Sequence, residues 1–125
     1  MRSDARVLVV DDEDDVRQGI CQRLGRRGLA IREAGDCLAA LAELERGAVD
    51  VIIMDVGMPG LDGIACLARV KERWPAIEVI ILTGHASIDM GLSGIKNGAF
   101  DYCLKPCDFN DLFEKIQLAL RHVAD

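Results

Sequence analysis

The chain carries no excess of basic residues. Fifteen Lys and Arg stand against twenty-one Asp and Glu, giving a net charge of −6 and a sequence pI near 4.9. That balance argues against binding of DNA, RNA or an anionic membrane by this domain, since each of those needs a basic face. Mean hydropathy is +0.17, yet no apolar run approaches the roughly 20 residues of a membrane span, and no signal-peptide pattern opens the sequence. Repeats, low-complexity stretches and linkers are absent. There is no CxxC pair. The five cysteines, Cys21, Cys37, Cys66, Cys103 and Cys107, are odd in number, and the two histidines, His85 and His122, are far apart. This argues against a zinc site. The cysteines read as reduced thiols packed as small hydrophobes, and the expected compartment is the cytoplasm.

What is present suits one globular domain. Half of the 125 residues are hydrophobic, and a chain of this size buries roughly two thirds of the surface its unfolded form exposes. Short apolar runs alternate with segments of helical period, the pattern of a parallel α/β sheet. Strands are expected at residues 7–10, 29–34, 51–54, 77–82 and 100–104, and helices at 14–25, 38–45, 63–73, 88–96 and 109–123. Gly28, Gly47, Gly98 and Pro75 stand where helices should stop; Asp36, Ser87 and Asp108 are candidate N-caps. In the last helix Leu112, Ile116, Ala119, Leu120 and Val123 form one apolar face.

The strands differ in a way that orders them. Residues 7–10, 51–54 and 79–82 of strands one, three and four are continuously apolar, as strands covered on both faces should be. The second and fifth interleave Ala30 and Arg32, and Asp101 and Cys103, and read as edges. With right-handed crossovers the order becomes 2-1-3-4-5, a doubly wound flavodoxin-like arrangement with five helices. Its switch point lies between strands one and three, and ligands belong at their carboxyl ends.

Asp11, Asp12 and Asp55 should converge there. Three close carboxylates repel one another unless a cation sits among them, and a hard divalent ion such as Mg²⁺ suits oxygen ligands. Asp14 and Asp15 read instead as acids favouring a helix N-terminus. The first strand-to-helix turn carries five consecutive acids and no GxGxxG, so a bare phosphate or dinucleotide would be repelled. Thr83, a hydroxyl donor followed by Gly84, ends strand four; Lys105, followed by Pro106, ends strand five. Together these residues make a phosphoryl-transfer constellation in which a carboxylate can act as nucleophile.

At these residues the chain resembles the receiver domain of two-component response regulators, over essentially its whole length. The Asp11-Asp12 pair, Asp55 followed by Val-Gly-Met58-Pro59-Gly-Leu-Asp62-Gly63, Thr83-Gly84 and Lys105-Pro106 carry the resemblance. The intervals of 28 from Asp55 to Thr83 and 22 from Thr83 to Lys105 are similar to those of nitrogen-regulator-type receivers. The resemblance implies that Asp55 accepts a phosphoryl group from the phosphohistidine of a histidine kinase or phosphotransfer protein. It implies that Asp12, Asp55 and the Gly57 carbonyl ligate Mg²⁺, with Asp11 acting directly or through a bound water. Thr83 and Lys105 would bind phosphoryl oxygens, and Lys105–Pro106 would be a cis peptide.

Tyr102 matches the family's aromatic switch position; the plainer alternative is a sheet-edge tyrosine with its hydroxyl in water. Gly57 and His85 occupy the positions that tune phosphoryl lifetime; His85 either handles a water or merely sits in solvent. Helix four contains Gly91 and Gly94, each costing roughly 1 kcal/mol relative to Ala. Either close packing or a poised conformational balance accounts for them. In the second case Thr83 and Tyr102 relay phosphorylation to a face made by helix four, strand five and helix five. That face would meet an output domain, an effector or a second copy of the chain. Two rivals stand: an aspartyl-nucleophile phosphatase, which Gly57 disfavours because no acid–base partner follows Asp55 at that position, and a receiver-like interaction module that takes no phosphate. The signalling reading makes the chain a phospho-accepting domain rather than an enzyme acting on an external substrate.

Overall fold

The computed structural model describes residues 5–56, 63–84 and 88–124, with side chains left aside at 88–91 and 123–124. Strands β1 (Arg6–Val10), β2 (Ala30–Ala34), β3 (Val51–Asp55), β4 (Glu78–Gly84) and β5 (Asp101–Lys105) alternate with helices. These are α1 (Asp14–Arg26), α2 (Cys37–Arg46), α3 (Gly63–Arg73), α4 (Ile88–Lys96) and α5 (Phe109–Ala124). All four strand pairings are parallel, in the order β2-β1-β3-β4-β5. β3 is buried throughout, β1 and β4 nearly so, whereas β2 and β5 are mostly half-exposed. The edge assignment read from their polar interruptions is thus the one observed.

Alternation along each central strand divides the core in two. Leu8, Val10, Ile52, Met54, Val79 and Ile81 face α2, α3 and the end of α4. Val7, Val9, Val51, Ile53, Ile80 and Leu82 face α1 and α5, where Leu24, Leu112, Phe113, Ile116, Ala119 and Leu120 meet them. Each fully buried aliphatic side chain contributes about 1.5–3 kcal/mol. This two-sided burial makes the sheet the rigid platform on which the strand ends are held.

Local signals act as the sequence suggests at several ends. The Asp36 carboxylate accepts from the Ala39 amide at 2.8 Å, and Asp108 accepts from the Asn110 amide at 3.2 Å, capping α2 and α5. Gly28 (φ 87°) and Gly98 (φ 104°) follow α1 and α4 in left-handed conformation. Gly47 is extended instead, with φ −179°, so its glycine freedom is not what ends α2. β4 runs two residues past the expected limit, because Thr83 and Gly84 pair with Leu104 and Lys105. Gly94 is explained by packing: a Cβ there would stand 2.2 Å from Ile81 Cδ1. The expectations for Gly57, Met58, Pro59, Asp62, His85 and Ser87 fall outside the described residues, as do those for the side chains of Gly91 and Val123.

The cysteine reading needs correction. Cys37 and Cys66, on neighbouring helices over one sheet face, are disulfide-bonded with Cα atoms 6.0 Å apart. Cys103 and Cys107 are bonded across the turn that holds Lys105 and Pro106, with Cα atoms 6.1 Å apart. Only Cys21 keeps a thiol, and burial raises its pKa to about 11. Composition suggested no pairing because the partners are set by how helices and turn pack, not by a sequence spacing. Among the described residues no helix is long and apolar enough to cross a membrane.

Candidate functional site

Each residue of the site lies at, or within two residues of, the carboxyl end of a parallel strand, so the parallel register brings them to one edge. Asp11 follows β1; its amide donates to Ala34 O at 3.1 Å, and its carboxylate accepts from the Glu13 amide at 2.9 Å. The latter bond folds the acidic turn back on itself ahead of α1. Asp55 is the last residue of β3, paired with Leu82, and Thr83 lies on β4 opposite Leu104 of β5. Lys105 closes β5 opposite Gly84.

Carboxylate oxygens of Asp11, Asp12 and Asp55 lie within 4.8 Å of one another. Asp11 and Asp55 are buried and Asp12 is exposed. Lys105 reaches into this group, its Nζ donating to Asp55 Oδ2 at 3.1 Å and to Asp11 Oδ2 at 3.3 Å. Glu13 Oε1 lies 3.6 Å from the same ammonium. The Thr83 side chain is fully buried, and its hydroxyl donates to Gly84 O at 3.1 Å.

The electrostatics follow from this crowding. Burial raises the Asp11 pKa, and Asp55 adds to the rise. The Glu13 amide and the Lys105 charge pull the other way without cancelling it. For Lys105, burial alone would disfavour the ammonium. Its hydrogen bond and charge interaction with Asp55, with the same from Asp11, outweigh that and raise its pKa. Lys105 is therefore a firmly charged cation bridging two carboxylates, and the all-oxygen donor set beside it could hold a hard metal ion.

Sequence reasoning overlooked Arg17. Its side chain, 13% exposed, donates from Nη1 to Asp11 O at 2.8 Å while Nε bonds Glu33 Oε1 at 2.7 Å and Nη2 pairs with Asp14 at 2.8 Å. It thus ties the main chain of the acidic turn to β2 and to the first turn of α1. The one available signal was an acid three residues before it on a helix, a common surface pairing. Tyr102 is half-buried and packs against the core on the α3 and α4 side of the sheet. The Lys105–Pro106 peptide is cis, as the resemblance implied.

Residues 7–117 match the response regulator receiver domain family. Among curated relatives, the DNA-binding transcriptional regulator NtrC of Salmonella typhimurium is 36% identical over 116 residues, 93% of this chain and 25% of that protein. A putative NtrX-like response regulator of Rickettsia bellii is 36% identical over 121 residues, 95% of this chain and 24% of its own length. The chain thus spans about a quarter of the length of the curated relatives it matches. Among solved structures, the receiver domain of NtrX from Brucella abortus superposes with a TM-score of 0.89 at 34% identity, covering 92% of this chain and 98% of that one. The receiver domain of the Francisella response regulator 1452 gives a TM-score of 0.88 at 30% identity, covering 95% and 98% respectively. With this fold, the acidic cluster at its switch point and matches across nearly its whole length, the chain belongs to the response regulator receiver domain family, the signalling modules of two-component systems.

Proposed function

We propose that Asp55 is the phosphoryl acceptor, that residues 1–125 act as a single receiver domain, and that the donor is the phosphohistidine of a histidine kinase or phosphotransfer protein. One observation carries the reading: Lys105 Nζ bridges Asp11 and Asp55 while Asp12 completes a carboxylate cluster within 4.8 Å. Such a site offers a nucleophilic carboxylate, a fixed cation and further oxygen donors in one place. Phosphoryl transfer demands little beyond in-line positioning and cancellation of charge. An Asp55 oxygen attacks phosphorus, the O–P bond forms as the histidine N–P bond breaks, and the imidazole leaves with that electron pair. Lys105, already against Asp55, takes one phosphoryl oxygen, and the Thr83 hydroxyl turns from Gly84 O to take another.

Asp11, Asp12 and Asp55 would hold Mg²⁺, with the Gly57 carbonyl as a further ligand from outside the described residues. When bound, the ion offsets the negative charge that the carboxylates and the phosphoryl group bring together. Gly57 and His85 occupy the positions that tune phosphoryl lifetime in the family: Gly57 brings no side chain there, and His85 either handles a water or sits in solvent.

Readout passes from Thr83 to its neighbours on β5 and α4. Tyr102 turns inward and α4 shifts, altering a face on which Leu92, Ile95 and Leu118 are already exposed. That face serves an output domain, an effector or a homodimer contact, and the domain works in the cytoplasm without itself touching nucleic acid or membrane. Helix four is the part expected to move, and amide exchange over residues 84–98 should change on adding a phosphoryl mimic. Unchanged protection there removes the relay.

Intact-mass analysis with acetyl phosphate decides the acceptor. Wild type should gain one phosphoryl group only with Mg²⁺ present, and Asp55→Asn should gain none. An adduct that ignores Mg²⁺ or survives Asp55→Asn overturns the mechanism. No adduct at all leaves the interaction module, whereas rapid turnover of external phosphate esters would indicate a phosphatase.

A further inference from the structure

The Cys103–Cys107 bond has no part in phosphoryl transfer as derived above, yet it encloses the residue on which that transfer depends. Cys103 sits on β5, 8% exposed, two residues before Lys105. Cys107 follows Pro106, is half-buried, and lines a cavity of about 520 Å³ with Lys105, Pro106, Phe109 and the α1 residues Val16 and Ile20. The two Cα atoms are 6.1 Å apart, within the span a disulfide bridges. The second bond differs in access: Cys37 is 3% exposed and Cys66 is wholly buried. Thiol–disulfide exchange requires a nucleophile to reach a sulfur, so the exposed partner decides which bond is labile. Cys107 meets that condition, and neither sulfur of the buried bond does.

We propose that Cys103 and Cys107 form a reversible thiol–disulfide redox site whose oxidised state fixes Lys105 against Asp55 and Asp11. The oxidant is a hydroperoxide small enough for the cavity, and the reductant is a dithiol. The Cys107 sulfur takes the distal peroxide oxygen as the O–O bond breaks, giving a sulfenic acid and releasing an alcohol or water. Cys103 then attacks the Cys107 sulfur; the S–S bond forms, the S–O bond breaks and water departs. Two electrons have passed from the sulfurs to the peroxide. A dithiol returns them by exchange at Cys107 and leaves as its own disulfide. With the bond closed, the ends of the turn carrying Lys105 and Pro106 are held together; with it open, the β4 pairing and the ammonium contacts remain to position Lys105.

The link to signalling rests on Asp55 being the acceptor, so the test separates the two. Differential alkylation with peptide mapping follows each cysteine after treatment with hydrogen peroxide and then with dithiothreitol. Cys103 and Cys107 should become protected together and be released together, ahead of Cys37 and Cys66. Continued alkylation of either after peroxide overturns the redox site. The Lys105 backbone amide resonance should move between the two states, and labelling by acetyl phosphate should be on the order of 10-fold faster in the oxidised one. Misplacing a reacting group by about 1 Å costs on the order of 100-fold, so a partial loosening is legible on that scale. Cys107→Ser, and separately Cys103→Ser with Cys107→Ser, should abolish the redox dependence while still labelling. Equal labelling rates and an unmoved Lys105 resonance overturn the coupling. A protein that labels in neither state refutes the assignment of Asp55, and alkylation with the Lys105 resonance then decides the redox proposal alone.

Discussion

Replacing Gly63 with alanine should damage both stability and phosphoryl acceptance, for a reason visible in one contact. Gly63 is the first residue of α3, and a Cβ there would lie 2.3 Å from Val56 Cα, 2.8 Å from Val56 Cβ and 3.0 Å from Val56 C. Ordinary carbon contacts begin near 3.5 Å, so the new methyl is roughly 1.2 Å too close to main chain. Val56 is not free to retreat: it is 4% exposed, and its amide donates to Leu82 O at 3.0 Å. Alanine gains about 1 kcal/mol at most in helix propensity, while overpacking of this kind costs about 1–3 kcal/mol. A net loss of about 1–2 kcal/mol should lower the melting temperature by roughly 3–10 °C. Val56 directly follows Asp55, so a main-chain shift approaching 1 Å should slow acetyl phosphate labelling by on the order of 100-fold. The control is Gly19→Ala in α1, where a Cβ meets nothing within 4 Å; it should raise stability by up to about 1 kcal/mol and leave labelling unchanged. A Gly63→Ala protein that melts at or above wild type and labels at the wild-type rate would refute the reasoning.

Three further outcomes are expected. Asp36→Ala removes the cap on the Ala39 amide and should cost about 1 kcal/mol in urea denaturation; an unchanged midpoint would show that water replaces the cap at no cost. Hydrogen bonding from Arg32, reinforced by its charge and that of Arg46, lowers the Glu43 pKa below 4.5. The folded form is therefore the weaker proton binder. The advantage of wild type over Glu43→Gln should be complete above pH 4.5 and fade as pH falls through the lowered folded value, and a pH-independent difference contradicts the linkage. Cys21, its pKa raised to about 11 chiefly by burial, should resist iodoacetamide at pH 8 in the folded protein and react once the protein is unfolded. Rapid alkylation under native conditions would mean the thiol is not held where the structure places it.

Much of the architecture was legible because the physics behind it is periodic or compositional. The unbroken apolar runs 7–10, 51–54 and 79–82 within β1, β3 and β4, against the interrupted β2 and β5, report burial on two faces or one, and strand order follows. The acids at Asp11, Asp12 and Asp55 could be joined because parallel strands put their carboxyl ends at one edge. What stayed hidden depends on distances between elements that no local pattern encodes. Arg17 looked like any helical surface arginine, yet its reach to Asp11 O is set by where β2 places Glu33. At Gly94 the sequence leaves packing and conformational balance equally open, and the Ile81 side chain beneath it supplies the packing reason. The cysteine pairs escaped because two helices and one turn, rather than a motif, bring the sulfurs together. The motif after Asp55 contains Gly63 but does not carry its reason, the close approach of Val56.

The Lys105 contacts also bear on when the site comes into being during folding. They join residues 94 and 50 positions apart, Asp11 and Asp55 to a lysine on the last strand. Contacts so distant in sequence form late, after the loop-closure entropy of the intervening chain has been overcome. Until β5 docks beside β4, the growing polypeptide presents its acids without the ammonium that bridges them. A chain still emerging from the ribosome, with β5 not yet made, therefore lacks the ammonium that bridges Asp11 and Asp55. The bridged carboxylate cluster thereby becomes a property of the finished domain alone, and a copy folded only through β4 presents the acids uncompensated.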